Sequence, residues 1–182
     1  MFIRMMPNDL ILRLEQVTTE WLTEVLRRSR ALQQGAVASF EMMAQTRELS
    51  ANAKLHLRYT ADATGDLPEC LFLKIVNTNL YDEFFGSSEV DYYVRDYRDL
   101  PNAPIPRCYD AAFSAELERY HILMDDIAQS HVEAATKAPT LNYGLALAET
   151  LAILHAHWWG GERLSAGGKS IDSAQQIWRF VE

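Results

Sequence analysis

The sequence predicts an α+β fold in which a five-stranded antiparallel sheet with one crossing helix leads into further helices. Three observations predict it. The hydrophobic period switches from helical to alternating after residue 35 and returns to helical near residue 141. The elements run helix, three strands, helix, two strands, linker, helix, which keeps the strands apart from the later helices. The run Leu71-Phe72-Leu73-Lys74-Ile75-Val76 is apolar on both faces, so it belongs in the middle of a sheet. Three segments are expected: 1–35, an N-terminal segment with a helix; 36–125, the sheet-bearing lobe; and 126–182, a hinge, a linker and the beginning of a helical lobe.

Each element has a local reason. Thr18 caps the first helix, with Trp21, Leu22, Val25, Leu26 and Leu32 on its apolar face. Gly35 is expected to stop it. Residues 37–44 read as a strand, and Lys54-Leu55-His56-Leu57-Arg58-Tyr59 alternates, with Leu55, Leu57 and Tyr59 on one face. The polar stretch 45–52 joins these two strands as a loop. Thr64-Gly65-Asp66-Leu67-Pro68 is a turn before the strand of Lys74. Ser87 or Ser88 caps a helix reaching about Leu100, with Val90, Tyr93, Tyr97 and Leu100 facing the sheet. Pro101, Pro104 and Pro106 break the chain. Residues 107–113 and 119–124 form a hairpin, and 125–139 are a linker with room for a short helix. Residues 141–159 form a helix, with Leu145, Ala148, Leu151, Ala152 and His155 at helical spacing. Gly160-Gly161 ends it, Ser165-Ala166-Gly167-Gly168 is a joint, and a last helix is expected from Ile171, capped by Ser170.

Composition narrows the function classes. The 182 residues are 48% hydrophobic, enough for one well-cored domain or part of a larger one. The formal net charge is −8, which makes nucleic acid and anionic membrane poor partners. No apolar run spans a bilayer, and the first residues lack the apolar core of a secretory signal. Asp9 and Glu15 argue against an organellar transit peptide. Cys70 and Cys108 show no metal-type spacing and read as reduced thiols of a cytoplasmic protein. A disulfide between them requires strand pairing to bring them together.

Lys74 is the awkward residue. A buried ammonium without a partner is expensive, so a carboxylate or a phosphate is expected beside it. Glu89 lies four residues before Tyr93, at the edge of the sheet-facing stripe, and can reach back. The alternative is a Lys74 that snorkels to a sheet edge and a solvated Glu89.

The segments Leu71-Phe72-Leu73-Lys74-Ile75-Val76, Phe85-Gly86-Ser87-Ser88-Glu89-Val90-Asp91-Tyr92-Tyr93, Pro104-Ile105-Pro106-Arg107-Cys108-Tyr109-Asp110-Ala111, Tyr120-His121-Ile122-Leu123-Met124-Asp125-Asp126-Ile127 and Leu151-Ala152-Ile153-Leu154-His155-Ala156-His157-Trp158-Trp159 together carry a resemblance. The chain resembles the small-molecule kinase family that includes aminoglycoside phosphotransferases, choline kinases and their ecdysteroid-kinase-like relatives. The resemblance implies a protein-kinase-like small lobe plus the first helices of the large lobe. It implies that Lys74 holds the α- and β-phosphates of ATP and that Glu89 orients Lys74 through an ion pair. It implies that Met124 lines the adenine pocket, and that the Asp125 carbonyl and the Ile127 amide bond adenine. The loop 45–52 would fold over the phosphates, with Ser50 as a donor.

Two departures limit that expectation. The loop Gln45-Thr46-Arg47-Glu48-Leu49-Ser50-Ala51-Asn52 contains no glycine, although close approach of backbone amides to phosphate favours one. The family's H-G-D-x-x-x-x-N loop and later D-x-D segment, which supply the catalytic carboxylate and the Mg²⁺ ligands, are absent from these residues. No catalytic residue and no metal ligand is therefore expected here. The chain reads as the nucleotide-binding part of a phosphotransferase that acts on a hydroxyl of an antibiotic or metabolite. The rival reading is a non-catalytic kinase-fold remnant or interaction module, self-associating through exposed apolar helices.

Other constellations are weaker. Adjacent Asp125 and Asp126 diverge in an extended chain, so they share no metal and read as mostly solvated hinge residues. His155 and His157 lie on different sides of a helix, and His155 reads as a core histidine. Trp158 and Trp159 read as packing residues. Arg27-Arg28-Ser29-Arg30 reads as a solvated helix face.

Overall fold

The computed structural model describes residues 10–46, 50–78, 86–133 and 136–160. Helix α1 (Thr19–Arg28) starts where Thr18 Oγ1 accepts the Trp21 N–H at 3.1 Å, satisfying one orphan donor of the first turn. Leu22, Val25 and Leu26 are its buried face. It ends seven residues before Gly35, in a closed C-terminal turn. The Ala31 N–H reaches Leu26 O at 2.9 Å and the Arg30 N–H reaches Arg27 O at 3.0 Å. Arg30 takes the left-handed conformation this closure needs, with φ of 64°. A non-glycine residue fills the place where glycine is the usual signal, so the sequence misplaces the stop. Leu32 consequently leaves the helix and opens strand β1 (Leu32–Gln34), which pairs with β4 (Thr64–Gly65). Gly65 is required there: its φ is 130°, and a Cβ would lie 2.4 Å from Ala31 O.

The main sheet holds β2 (Val37–Thr46), β3 (Ser50–Tyr59), β5 (Cys70–Asn77), β6 (Cys108–Ser114) and β7 (Arg119–Asp125). Their order is β2-β3-β5-β7-β6, antiparallel throughout. Strand β5 is the middle strand, as its two apolar faces demand. The β2–β3 hairpin is tighter than the expected 45–52 loop, for Gln45 and Asn52 are register partners. Backbone pairing needs no apolar side chain, so small and polar residues extend both strands. Residues 47–49 of that loop lie outside the described residues.

Alternation gives the sheet two unlike faces. Ala53, Leu55, Leu57, Leu71, Leu73 and Ile75 are buried in one core with Leu22, Val25 and Leu26 of α1. Fully burying each such leucine contributes about 1.5–3 kcal/mol. On the other face Val90, Ala111, Tyr120, Ile122 and Met124 form a smaller core, with Phe72, Val76, Tyr93 and Cys108 packed on it. Asn52, Lys54, His56, Cys70 and Lys74 stay half-buried on that side.

The crossing helix is shorter than predicted. Helix α2 (Ser88–Asp91) passes into a wide turn, Tyr92–Asp96, closed by the Tyr97 N–H on Tyr92 O at 3.1 Å. The helical stretch therefore stops at Asp96 rather than Leu100. Tyr97 stacks on Tyr92 with ring centroids 4.6 Å apart, and of the expected stripe Val90 and Tyr93 join the small core.

The chain divides into two compact units, Met1–Arg98 with Ile105–Thr136, and Asp99–Pro104 with Lys137–Glu182. Helix α1 thus belongs with the sheet rather than to a separate N-terminal segment. The first unit also runs past Asp125 to Thr136. In the second unit, α3 (Leu141–Trp158) is capped by Thr140 Oγ1 accepting the Tyr143 N–H at 3.2 Å. Leu141, Leu145, Leu147, Leu151 and Ile153 are exposed, and so is His155, which is not the core histidine the spacing suggested. The joint at 165–168 and the final helix from Ile171 lie outside the described residues.

Candidate functional site

The half-buried sheet face is where polar groups gather. Lys74 lies on β5 between Asn52 of β3 and Ile122 of β7. Its Nζ donates to both carboxylate oxygens of Glu89 at 2.7 Å. The lysine did not snorkel away from the glutamate; the two charges meet across the sheet–helix junction. Their side chains remain 29% and 34% exposed, so the pair orients a charge at an open surface rather than hiding it.

Tyr120 is a third member that the sequence reading missed. It lies on β7 opposite Val76, and its hydroxyl donates to Glu89 Oε2. Burial, then the hydrogen bond to Glu89 and that residue's negative charge, hold the phenol well above its ordinary pKa. Tyr120 therefore stays a neutral donor. Its period-two relation to Ile122 and Met124 was the available signal, since all three share one face. Asn52, directly across from Lys74, was missed too. Its Oδ1 is buried without a hydrogen-bond partner.

The other expected site residues spread along the same sheet. Ser50 is a strand residue opposite Val76 rather than a loop donor, and its spacing puts it on the face of Asn52 and Lys74. Met124 is buried on that face, where its Sδ accepts the Tyr93 hydroxyl at 3.7 Å. Burial raises the Tyr93 phenol first, with help from the Glu89 charge, to about 12. Asp125 and Asp126 do diverge, but they are paired rather than solvated. Asp125 Oδ1 accepts the Tyr109 hydroxyl at 2.6 Å. Asp126 lies 3.3 Å from Lys54 Nζ with only 9% of its side chain exposed. Ile127 is exposed beyond them. Among the described residues no three metal-ligating side chains cluster.

The opposite face carries a tie. His121 is fully buried; its Nδ1 accepts the Ile11 N–H at 3.2 Å, which places the ring proton on Nε2. Nε2 lies 3.0 Å from Asp110 Oδ2, and Asp110 Oδ1 accepts from Arg28 Nη2 at 3.0 Å. Arg27 donates to Gly35 O at 2.7 Å. Both arginines therefore tie α1 to its surroundings while staying on the solvated helix face that the sequence suggests. Cys70 and Cys108 are free thiols.

No protein-family model, curated protein or solved structure matches the chain.

Proposed function

We propose that the Lys74-bearing sheet face binds the phosphates of ATP, as the nucleotide-binding part of a phosphotransferase acting on a hydroxyl of a small molecule. The observation that carries this reading is the two-pronged Lys74–Glu89 pair, braced by Tyr120, at a half-exposed position of the central strand. Two N–H bonds of the ammonium engage the carboxylate, and the third is left for a phosphate oxygen. Tyr120 fixes the carboxylate, so the charge stays in place when a ligand arrives. Met124 lies four residues beyond Tyr120 on β7 and would meet the base, with Asp125 at the strand's end and Ile127 just past it.

Bound ATP would supply the phosphoryl group. These residues would hold and orient it; the family's catalytic carboxylate and Mg²⁺-binding motifs are not in this sequence. Both thiols are reduced, which suits a cytoplasmic setting, and no helix among the described residues is long and apolar enough to cross a membrane.

The test is thermal unfolding with and without Mg²⁺-ATP. Saturation at a hundred times Kd stabilises the folded chain by about 2.7 kcal/mol. Lys74→Ala is expected to abolish that shift while its circular dichroism stays that of the wild type. An equal shift in both proteins contradicts the reading.

One observation favours a second reading, a self-associating interaction module. Leu141, Leu145 and Leu151 of α3 are exposed, which is unusual for one contiguous helix. Sedimentation velocity decides it: the module reading predicts a concentration-dependent dimer that Leu145→Glu with Leu151→Glu dissociates. A monomer at all concentrations removes it.

A further inference from the structure

The two cysteines of this chain sit in opposite circumstances. Cys108 packs on the small core, its Sγ donating to Asp110 O at 3.4 Å, and burial pushes its thiol up to about 12. Cys70 stands at the start of β5 directly across from His56 of β3. Its Sγ lies 3.3 Å from His56 Nδ1, within hydrogen-bonding reach for sulfur. Both residues are half-buried rather than sealed in a core.

We propose that Cys70 and His56 form a thiol–imidazole pair that is a site of covalent modification by small soft electrophiles. The sheet supplies the pre-organisation. The Leu57 N–H bonds Glu69 O at 2.8 Å, and the Asp126 N–H bonds Cys70 O at 3.2 Å. Both strands are thus held on either side of the pair. The thiolate is the nucleophilic form of cysteine, and an imidazole already in contact receives the proton as sulfur attacks. With an α-haloamide the sulfur–carbon bond forms as the carbon–halogen bond breaks. Halide leaves with the electron pair, and the thiol proton passes to His56 and then to water. The charged neighbours on this face are Lys54, paired with Asp126 at 3.3 Å, and Glu41 of β2, which lies directly across from His56 and is paired with Arg58 at 3.4 Å; with these groups engaged, His56 Nδ1 stays on the thiol. Cys70 lies four residues before Lys74 on the same face, about 13 Å along the strand. The inference does not depend on nucleotide binding there.

The experiment is a time course of iodoacetamide labelling on the folded full chain, resolved by peptide mass spectrometry. Cys108 serves as the internal control. Cys70 is expected to react at least about ten-fold faster than Cys108, and His56→Gln to slow Cys70 about ten-fold with Cys108 unchanged. Comparable labelling of the two thiols, or a Cys70 rate indifferent to His56→Gln, overturns the proposal. If that variant does not fold, the wild type decides it in urea. Unfolding separates the pair, so Cys70 should then react more slowly than in the folded chain; faster reaction overturns the proposal.

Discussion

Lys74 and Glu89 were legible because each is an exception to its surroundings. One charge in a doubly apolar strand demands a partner, and one glutamate at the edge of an apolar stripe can provide it. Tyr120 and Asn52 were not legible, because their nearness to the pair depends on strand register. Register lives in backbone pairing across distant segments, and one sequence does not write it down. The same reason hid the Cys70–His56 contact. Two predictions belong at this scale. Tyr120→Phe removes a hydrogen bond to a charged carboxylate and should cost about 1.5–3 kcal/mol in urea unfolding, while Tyr120→Ala costs more through the small core. The second concerns alkaline pH. Cys108 and Tyr93 have folded-state values raised to about 12 from ordinary values of 9.0 and 10.0. A raised acid keeps its proton in the folded state while the unfolded chain loses it. Their stabilisation is therefore fully present below pH 9.0 and is lost between the ordinary and the raised values. Urea midpoints should fall steadily from pH 9 to 11, and Cys108→Ala should flatten that fall.

Element boundaries show where local signals succeed and where they mislead. Thr18 caps its helix as read, and Thr140, which the sequence reading did not single out, caps α3 in the same way, because a hydroxyl before an apolar period is a mechanism as well as a pattern. The end of α1 was misread because Arg30 occupies the left-handed position. The loop 45–52 was misread because polarity suggested a loop where backbone pairing continues. Helix α2 is short because its wide turn redirects Tyr97 onto Tyr92. Substitution tests these accounts. Arg30→Gly should stabilise by about 1 kcal/mol, since glycine adopts the left-handed cap without the Cβ penalty. Gly65→Ala should destabilise by at least about 2 kcal/mol, since its Cβ would meet the Ala31 carbonyl. Urea midpoints of both variants measure the two effects together, and equal midpoints would contradict the turn geometry.

For the whole molecule, the α+β class and the central place of β5 followed from periodicity and from the two-faced apolar strand. The strand order did not, because antiparallel pairing between distant strands is a long-range choice. The division into units also came out differently, since α1 completes the core under the sheet and cannot be parted from it. One face of that sheet is closed by α1, and the other stays partly open with Lys74, Glu89, Tyr120 and Asn52 together. That open face is the central claim, and equilibrium binding of ATP tests it most directly. Isothermal titration of the chain with Mg²⁺-ATP should give one-to-one binding that Lys74→Ala abolishes and that Tyr120→Phe weakens by a smaller factor. Binding that survives Lys74→Ala unchanged, or no binding to the wild type at millimolar nucleotide, would contradict it.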